Sequence, residues 1–488
     1  MDQGKKMTAA FAAAVTAALS AGAFTAFADD TDIPIDESTF PDEAFRTYVQ
    51  TCFGESLSQD EIANATAIDV SYENIARLDG IQYFTNLTEL NCSSNQLTEL
   101  DISKNTALET LICGSNNLES LALSSNDKLI KLHCNSNELT RLDVSNNTKL
   151  TDINCGSNDL GSLNLSSNAD LEILECNGIG LTVLDLSSNT NLETLNCFDN
   201  HLESLDLTYN TKLQSLNCSF NNTLKSLVLS QNAPLSDLSC QYNQLTSLDL
   251  SQHTSLIRLS CSNNQLTSLN VKGCSSLDTL DCSNNQLTSL DVSECDSDID
   301  LSCNNQTYSI GAVVGSYPLT TLPGSFDPDK ATNWLGATYD STAKSLSDFT
   351  EALTVTYDYS CGNNQTMAVT LPVSSYTNPD DGSVAIDKTN FPDDTFREYV
   401  KSFDKNNDSK LSQEEIAAVT VINVNKKYIG DLTGIEYFTA LEKLNCSENA
   451  ALTSLDVSKN TALTKLTCID CRLSSLNVKG CDDLTYLD

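Results

Sequence analysis

The sequence has little of what metal centres and nucleic-acid binding require. Among its 488 residues there are three His, one Trp and three Met, and aromatic residues make up 6%. Only 27 Lys and Arg stand against 66 Asp and Glu, which gives a formal net charge of −39. Because phosphates are bound by clustered Lys and Arg, this balance argues against nucleic acid and anionic membrane surfaces as partners. Three His residues are also too few for a His-rich metal centre.

Long apolar runs are missing as well, apart from one near the beginning of the chain. Beyond residue 28, no segment reaches the ~20 apolar residues that a membrane-spanning helix needs. A short basic start, an apolar stretch and the run Ala26-Phe27-Ala28 are typical of a secretory signal peptide over residues 1 to 28. We therefore expect a secreted protein, with no membrane insertion.

Cysteine, in contrast, is abundant, and its spacing shows an internal repeat. Around each repeated Cys runs the pattern Leu-x-x-Leu-x-Cys-x-x-Asn-x-Leu, which is a leucine-rich repeat with Cys at the third apolar position. A repeat of about 21 residues has room for a short strand and a tight return, so residues 87 to 308 are predicted to form a mainly β, right-handed solenoid. The eleven repeated Cys are Cys92, Cys113, Cys134, Cys155, Cys176, Cys197, Cys218, Cys240, Cys261, Cys282 and Cys303.

The orientation of each strand follows from its alternation. The second Leu and the Cys of each repeat lie two residues apart, so both should point into the solenoid, with their neighbours on the concave sheet. We predict buried, reduced thiols for this ladder, because free Cys packs as a small apolar residue. Cys274 and Cys295 stand 13 residues after a ladder Cys and are the strongest candidates for a disulfide.

Two segments outside the repeats are copies of each other. Phe40-Pro41-Asp42 recurs as Phe391-Pro392-Asp393, and the segment that begins at Gly80 recurs at Gly434. Both copies predict a helical cap, over residues 29 to 86 and 387 to 440, and such caps cover the exposed edge of a solenoid.

The remaining segments complete the domain organisation. Alternating strand patterns predict a β-sandwich-like (Ig-like) module over residues 309 to 375, followed by a linker over 376 to 386. A second leucine-rich array begins at 441 and reaches residue 488. Since fewer than three repeats cannot bury a continuous core, we expect the natural protein to continue or this end to be poorly ordered.

The second cap contains a pattern that matches the twelve-residue EF-hand calcium loop. Carboxylate or amide oxygens stand at positions 1, 3, 5 and 12, and a purely structural cap remains the alternative because the first copy has lost these ligands. The hypothesis is one weakly held calcium ion, since Ser409 replaces the preferred Gly at position 6. The predicted metal-site residues are Asp404, Asn406, Asp408, Lys410 (through its carbonyl), Ser412 and Glu415.

The helical cap, the run from Leu78 to Leu87 and the Cys-bearing repeats resemble internalin J-like proteins, the cysteine-ladder leucine-rich repeat surface proteins of bacteria. The likeness covers about residues 36 to 373. It implies an extracellular adhesion or recognition protein, secreted or associated with the bacterial cell surface.

The sequence contains no GxSxG, HExxH or phosphate-loop motif, so no enzymatic activity is predicted. We expect a monomer that binds an extracellular protein or glycan through the concave sheet. The predicted contact residues are His133, Phe198, Phe220 and Tyr242. The alternative is a targeting or scaffold module of a larger secreted enzyme or surface-layer protein with domains beyond residue 488, and a spacer without a ligand also fits the polar repeats.

Overall fold

The computed structural model describes residues 32–231, 233–377 and 382–488, so the predicted signal peptide lies outside the described residues. The chain divides into two compact units. The first comprises Met1–Gly311 with Pro318–Ser374, and the second comprises Ala312–Tyr317 with Ser375–Asp488. Among the described residues, no helix combines the length and the apolar character that crossing a membrane requires.

The first unit begins with a helical cap. Helix α1 spans Glu43–Phe53 and α2 spans Gln59–Asn64, and the short strands Ile33–Pro34 and Ser56–Leu57 pair antiparallel. Asp42 and Ser58 cap the two helices through their side chains, which satisfies backbone N–H groups that a helix leaves unpaired. A 3₁₀ turn at Ile81–Tyr83 then leads to the first repeat.

The array forms one parallel sheet that begins in the cap. Each repeat contributes a three-residue strand whose central Leu or Ile points inward, as the alternation predicts. We call this the concave sheet. Its twelve strands within the described residues are Ala67–Asp69, Glu89–Asn91, Thr110–Ile112, Lys131–His133, Asp152–Asn154, Ile173–Glu175, Thr194–Asn196, Ser215–Asn217, Asp237–Ser239, Arg258–Ser260, Thr279–Asp281 and Asp300–Ser302.

The return side of the coils holds shorter parallel pairs. Ser204–Leu207 pairs with Ser226–Leu229, and Ser247–Asp249 pairs with Ser268–Asn270. Most of the remaining return consists of turns. The mainly β leucine-rich repeat solenoid is therefore confirmed.

Asparagine side chains connect successive coils, and Asn116 illustrates the pattern. Its amide donates to the carbonyls of Cys92 and Cys113 at 3.0 and 3.1 Å, and its side-chain oxygen accepts from the Leu97 N–H at 3.0 Å. Asn116 thus satisfies three backbone groups that would otherwise be buried without a partner.

The ladder thiols are free and buried, as predicted. Burial raises the pKa of Cys92 and of Cys240 to about 12, so these thiols stay protonated and unreactive at neutral pH. The disulfide hypothesis for Cys274 and Cys295 is contradicted, because both are free. They replace inward Asn residues, and the Cys274 thiol donates to the Leu250 carbonyl at 3.3 Å.

An all-β module follows the last coil of the first array. Tyr357 donates its hydroxyl to the Thr288 carbonyl, and Asn363 donates to the Val292 carbonyl, both at 2.7 Å, so the module is anchored on the array. A sandwich arrangement of its sheets remains a prediction. Its strands are Gln306–Thr307, Ile310–Val314, Tyr317–Pro318, Ala331–Leu335, Thr338–Asp340, Ser345–Ser347, Thr354–Gly362 and Gln365–Thr377, with 3₁₀ turns at Leu319–Thr321 and Pro328–Lys330.

The second unit repeats the plan of a cap followed by coils. Helix α3 spans Asp394–Val400, α4 spans Gln413–Ala417, and 3₁₀ turns occupy Lys401–Phe403 and Ile435–Tyr437. The four strands of its parallel sheet are, in spatial order, Val421–Asn423, Lys443–Asn445, Lys465–Thr467 and Tyr486–Leu487. Ser454–Asp456 forms a further parallel pair with Ser475–Asn477. Val384–Ala385 pairs antiparallel with Lys410–Leu411.

This second array departs from the Asn pattern at one position. Cys471 stands three residues after Cys468, where Asn449 follows Cys446 in the preceding coil. The Cys471 thiol donates to the Cys446 carbonyl at 3.1 Å and so replaces one of the bonds that an Asn would make.

Candidate functional site on the concave sheet

Three aromatic residues of successive coils form a continuous row of contacting rings. The rings of Phe198 and Phe220 lie 5.1 Å apart with an interplanar angle of 55°, and those of Phe220 and Tyr242 lie 4.3 Å apart at 26°. We call Phe198, Phe220 and Tyr242 the aromatic ladder. Parallel pairing sets the coils one strand spacing apart, about 4.8 Å, which is close to the distance of stacked rings.

The aromatic ladder lies at the edge of the concave sheet. The three strands concerned end at Asn196, Asn217 and Ser239, and the ladder residues follow in the turns. The sequence predicts these aromatics on the concave surface, whereas in the structure they lie in the turns that border it. Tyr242 is 43% exposed, and the two Phe residues are half-buried.

Two of the ladder residues have an unusual backbone conformation. Phe220 and Tyr242 adopt left-handed φ values of 59° and 56°. This conformation is rare for bulky residues and common for Asn, Asp, Ser and Gly in turns. At the same position the other coils place Ser94, Ser115, Ser136, Ser157, Gly178, Asp199, Asn263, Asn284 and Asn305, all with positive φ.

The aromatic residues are therefore not required by the turn. The positive φ belongs to every coil, and only the residue type differs at Phe220 and Tyr242. The use of bulky aromatic residues where the other coils have small ones supports a contact role for the aromatic ladder.

His133 belongs to a separate cluster on the sheet. Its Nε2 lies 3.0 Å from Asp152 Oδ1, and the Lys131 ammonium donates to Asp152 Oδ2 at 2.7 Å. Burial raises the pKa of Asp152, but the hydrogen bonds from Lys131 and His133 outweigh it and leave the pKa below its ordinary value. Three coils separate His133 from Phe198, about 14 Å at strand spacing, so the structure does not bring His133 to the aromatic ladder.

Carboxylates dominate the rest of this surface. Arg258, like Lys131, is paired with an acidic side chain of an adjacent strand, since its guanidinium lies 2.5 Å from Asp237. The accumulation of acidic side chains on one face follows from the pairing of the strands. In the described part of the chain, nine carboxylates at or beside the concave strands form no ion pair: Asp69, Glu89, Glu109, Glu172, Glu175, Glu193, Asp278, Asp281 and Asp300.

The EF-hand-like loop of the second unit has part of the expected arrangement. Asp404 and Asn406 each accept from the Asp408 N–H, at 3.2 and 3.1 Å, and Asp408 accepts from the Lys410 N–H at 2.8 Å. Ser409 at position 6 adopts the left-handed conformation that this loop requires, with φ of 66°.

Glu415 is occupied by other bonds. One of its oxygens accepts from the Lys405 N–H at 2.7 Å, and the other accepts from the Ser412 N–H at 2.9 Å. The bond from Ser412 is the main reason why the pKa of Glu415 is lowered. Across the described residues, no group of three or more His, Cys, Asp or Glu side chains is placed to hold a metal ion, so the fit to calcium is incomplete.

Comparison with known proteins agrees with the resemblance found in the sequence. Residues 254–295 match the family model "Leucine Rich repeats (2 copies)". Over 66 residues the chain is 35% identical to internalin J of Listeria monocytogenes serotype 4b (strain F2365), a match that spans 13% of this chain and 7% of the relative.

Two solved structures from Listeria monocytogenes have lower sequence identity to this chain. The functional domain of InlJ from Listeria monocytogenes, which includes a cysteine ladder, is 24% identical with a TM-score of 0.34, covering 72% of this chain and all of that one. An internalin (inlF) from Listeria monocytogenes str. 4b F2365 is 16% identical with a TM-score of 0.40, covering 95% and 99%. Such scores carry no argument by themselves, and the fold rests on the strand pairing.

The repeats, the buried Cys ladder and the sequence match define an internalin-like leucine-rich repeat protein. This class of fold indicates a protein-binding role.

Proposed function

We propose that the chain is a non-catalytic extracellular adhesion protein that binds a protein or glycan ligand through the concave sheet, as a monomer. The observation that carries this proposal is the aromatic ladder. Its aromatic side chains occupy positions that the turn itself would fill with small polar residues. Aromatic side chains are enriched among residues that dominate binding energy.

The decisive variant replaces ladder rings without disturbing the turn. Phe220→Asn combined with Tyr242→Asn introduces the residue that Asn263 already provides at this position. Binding of the labelled full chain to immobilised fibronectin, laminin and collagen and to a printed glycan array should fall by roughly tenfold for any ligand that the parent protein binds.

The matched control is Tyr209→Ala, because Tyr209 is 61% exposed on the return side of the coils. This variant should bind as the parent does, and both variants should keep the parent's thermal unfolding temperature. Equal binding by the double Asn variant and the parent would refute the role of the aromatic ladder.

We also propose that residues 404 to 415 bind one calcium ion weakly. Asp404 and Asn406 both accept from the Asp408 N–H, and the Asp408 carboxylate accepts from the Asn406 amide, so the three side chains lie close together. This clustering and the conformation of Ser409 support the proposal. Oxygen ligands at these loop positions suit calcium, and extracellular modules bind it with dissociation constants of about 10⁻⁴ to 10⁻³ M. Lys410 would contribute its carbonyl and Ser412 a water-mediated contact, while Glu415 would have to release its present bonds.

Calorimetry on the full chain tests calcium binding. We expect one site in the millimolar range that Asp408→Ala abolishes, while Asp281→Ala on the concave sheet has no effect. The absence of heat and of a thermal shift at several times this concentration would leave a purely structural cap.

A further inference from the structure

We propose that the partner at the aromatic ladder is a protein with a basic surface and an apolar projecting side chain, not a glycan. This inference rests on the proposed function and names the class of ligand, which the sequence leaves open. The geometry of the rings and the charge of the concave sheet carry it independently of each other.

The central ring of the aromatic ladder is flanked on both sides. Phe220 lies between two neighbours, with ring centroids at 5.1 Å on one side and 4.3 Å on the other. The Tyr242 ring is nearly parallel to it at 26°, and the Phe198 ring is tilted by 55°. A sugar packs its C–H groups flat against an open aromatic face, and at Phe220 both sides are occupied by other rings. The row of three rings instead forms an apolar ridge, which suits aliphatic or aromatic side chains of a protein.

Charged residues lie on the concave strands that lead to this ridge. Glu175 pairs in register with Asn196, two residues before Phe198, and Glu193 precedes the same strand at the end away from the ridge. Both carboxylates are held by amides, since Glu175 accepts from Asn154 at 2.6 Å and Glu193 accepts from Gln214 at 2.9 Å. These bonds orient the carboxylates and leave their negative charge uncompensated.

The Lys and Arg side chains of the concave strands form ion pairs within the protein. Lys131 and Arg258 are each paired with an Asp of a neighbouring strand, so neither is available to an anionic ligand without breaking an ion pair. The nine carboxylates without an ion pair in the described residues give the concave sheet a negative potential. Complementary potentials steer association and exclude partners of like charge, so the complementary partner is basic.

The two features fit one binding mode. Apolar side chains of the partner would lie along the ridge, while its Lys or Arg side chains would reach Glu172, Glu175 and Glu193. Because exposed charges are screened by salt, association should weaken as ionic strength rises, whereas the apolar contact at the ridge should persist.

The test uses a short synthetic peptide with alternating Arg and Leu, labelled with fluorescein, and the full-length protein. We expect saturable binding by fluorescence polarisation at low salt, and no binding of a twin peptide in which Glu replaces Arg. Phe220→Asn with Tyr242→Asn should weaken binding by roughly tenfold, and so should Glu172→Gln, Glu175→Gln and Glu193→Gln combined. The Gln residues keep the acceptor oxygens, so the triple variant changes charge with little change in shape.

The matched charge control is Glu119→Gln, Glu138→Gln and Glu203→Gln, three exposed Glu residues outside the concave strands. Equal losses in the two triple variants would mean unspecific attraction to an acidic protein and would overturn the proposal. So would the absence of saturable peptide binding up to roughly 1 mM, the weakest affinity of interest.

The neutral sugar chitotetraose distinguishes failure of this inference from failure of the proposed function. If chitotetraose binds and loses affinity in the double Asn variant, the concave site stands and its ligand class is wrong. If neither probe depends on the aromatic ladder, both the inference and the ladder's role in binding are wrong.

Discussion

The two helical caps are built on the same contacts, although 350 residues of sequence separate Phe40 from its counterpart Phe391. A Cβ placed at Gly80 would lie 2.2 Å from the Phe40 ring, and one at Gly434 would lie 2.3 Å from the Phe391 ring. Both glycines have positive φ, 107° and 100°. The same close approach of a glycine to a phenylalanine ring occurs in both caps, so it belongs to the packing of the cap itself.

The caps differ in the loop before their second helix. Ser58 with Glu61 and Ser412 with Glu415 close the same capping box, in which each side chain accepts from the other residue's N–H. The first cap does this without an EF-hand-like loop. The comparison teaches that Glu415 has a structural role that does not depend on calcium.

The two arrays also differ in their ladders. The first contains eleven ladder Cys and a nearly regular series of Asn, whereas the second contains Cys446 and Cys468 and replaces an Asn by Cys471. The stability of the first array should therefore depend more strongly on the protonation of its thiols. In the second array, fewer buried backbone groups should have a side-chain hydrogen-bond partner.

The largest expected effect is loss of stability at alkaline pH, concentrated in the first unit. Burial raises the pKa of Cys92 and of Cys240 to about 12 in the folded state, against about 8.5 in an unfolded chain. Their stabilising contribution is complete below pH ~8.5 and is lost as the pH rises towards ~12, at about 1.4 kcal/mol per thiol and pH unit.

Fluorescence of Trp334, the only Trp of the chain, reports unfolding of the first unit. Urea titrations under reducing conditions should show a free energy of unfolding that falls steeply above pH ~8.5. Amide exchange in α3 and α4 should show a much shallower dependence for the second unit. Equal pH dependence of the two units would contradict the comparison.

Substitution of the cap glycines should have the next largest effect. Gly80→Ala and Gly434→Ala should each destabilise their own cap by about 3 kcal/mol, because the methyl group meets a buried ring and the residue must keep a positive φ. Gly54→Ala is the control, since Gly54 has a φ of 87° but no atom within 4 Å of an added Cβ. A cost for Gly54→Ala as large as for the other two would show that backbone strain alone is responsible.

Removal of the capping glutamates compares the caps directly. Glu61→Ala and Glu415→Ala should each cost about 1 kcal/mol in the absence of calcium, because each leaves an N-terminal N–H without its partner. Thermal unfolding with and without calcium is the measurement. If calcium alters the loss of stability caused by Glu415→Ala but not the loss caused by Glu61→Ala, the two loops differ in function. If calcium alters neither loss, both caps are purely structural.

The smallest effect should come from restoring the Asn series in the second array. Asn449 donates to the Val424 and Cys446 carbonyls at 2.9 and 2.8 Å and accepts from the Ile429 N–H at 3.0 Å. Cys471→Asn should recover such bonds and stabilise the second unit by about 0.5–1 kcal/mol. The reverse change, Asn116→Cys, should destabilise the first array, and chemical unfolding of both variants would show whether Asn and Cys are interchangeable there.

Much of the fold could be predicted because it is periodic. Residues such as Leu195 and Cys197 lie two apart in every coil, so one strand determines the inward face of all the others. The caps were recognisable as a duplication, and the capping pairs follow a local sequence pattern. Cys274 and Cys295 were misjudged because spacing does not show what a thiol faces, and here the partner of Cys274 is a backbone carbonyl.

The sequence by itself determined the repeat, its buried faces and the residues of the aromatic ladder, since strand periodicity acts within each coil. Only the tertiary structure decided what these residues form together. The stacking of Phe220 on Tyr242, the separation of His133 from them and the gathering of carboxylates on one face arise from pairing between coils. That pairing sets the distances and the charge of the surface, because side chains about 20 residues apart become neighbours at strand spacing.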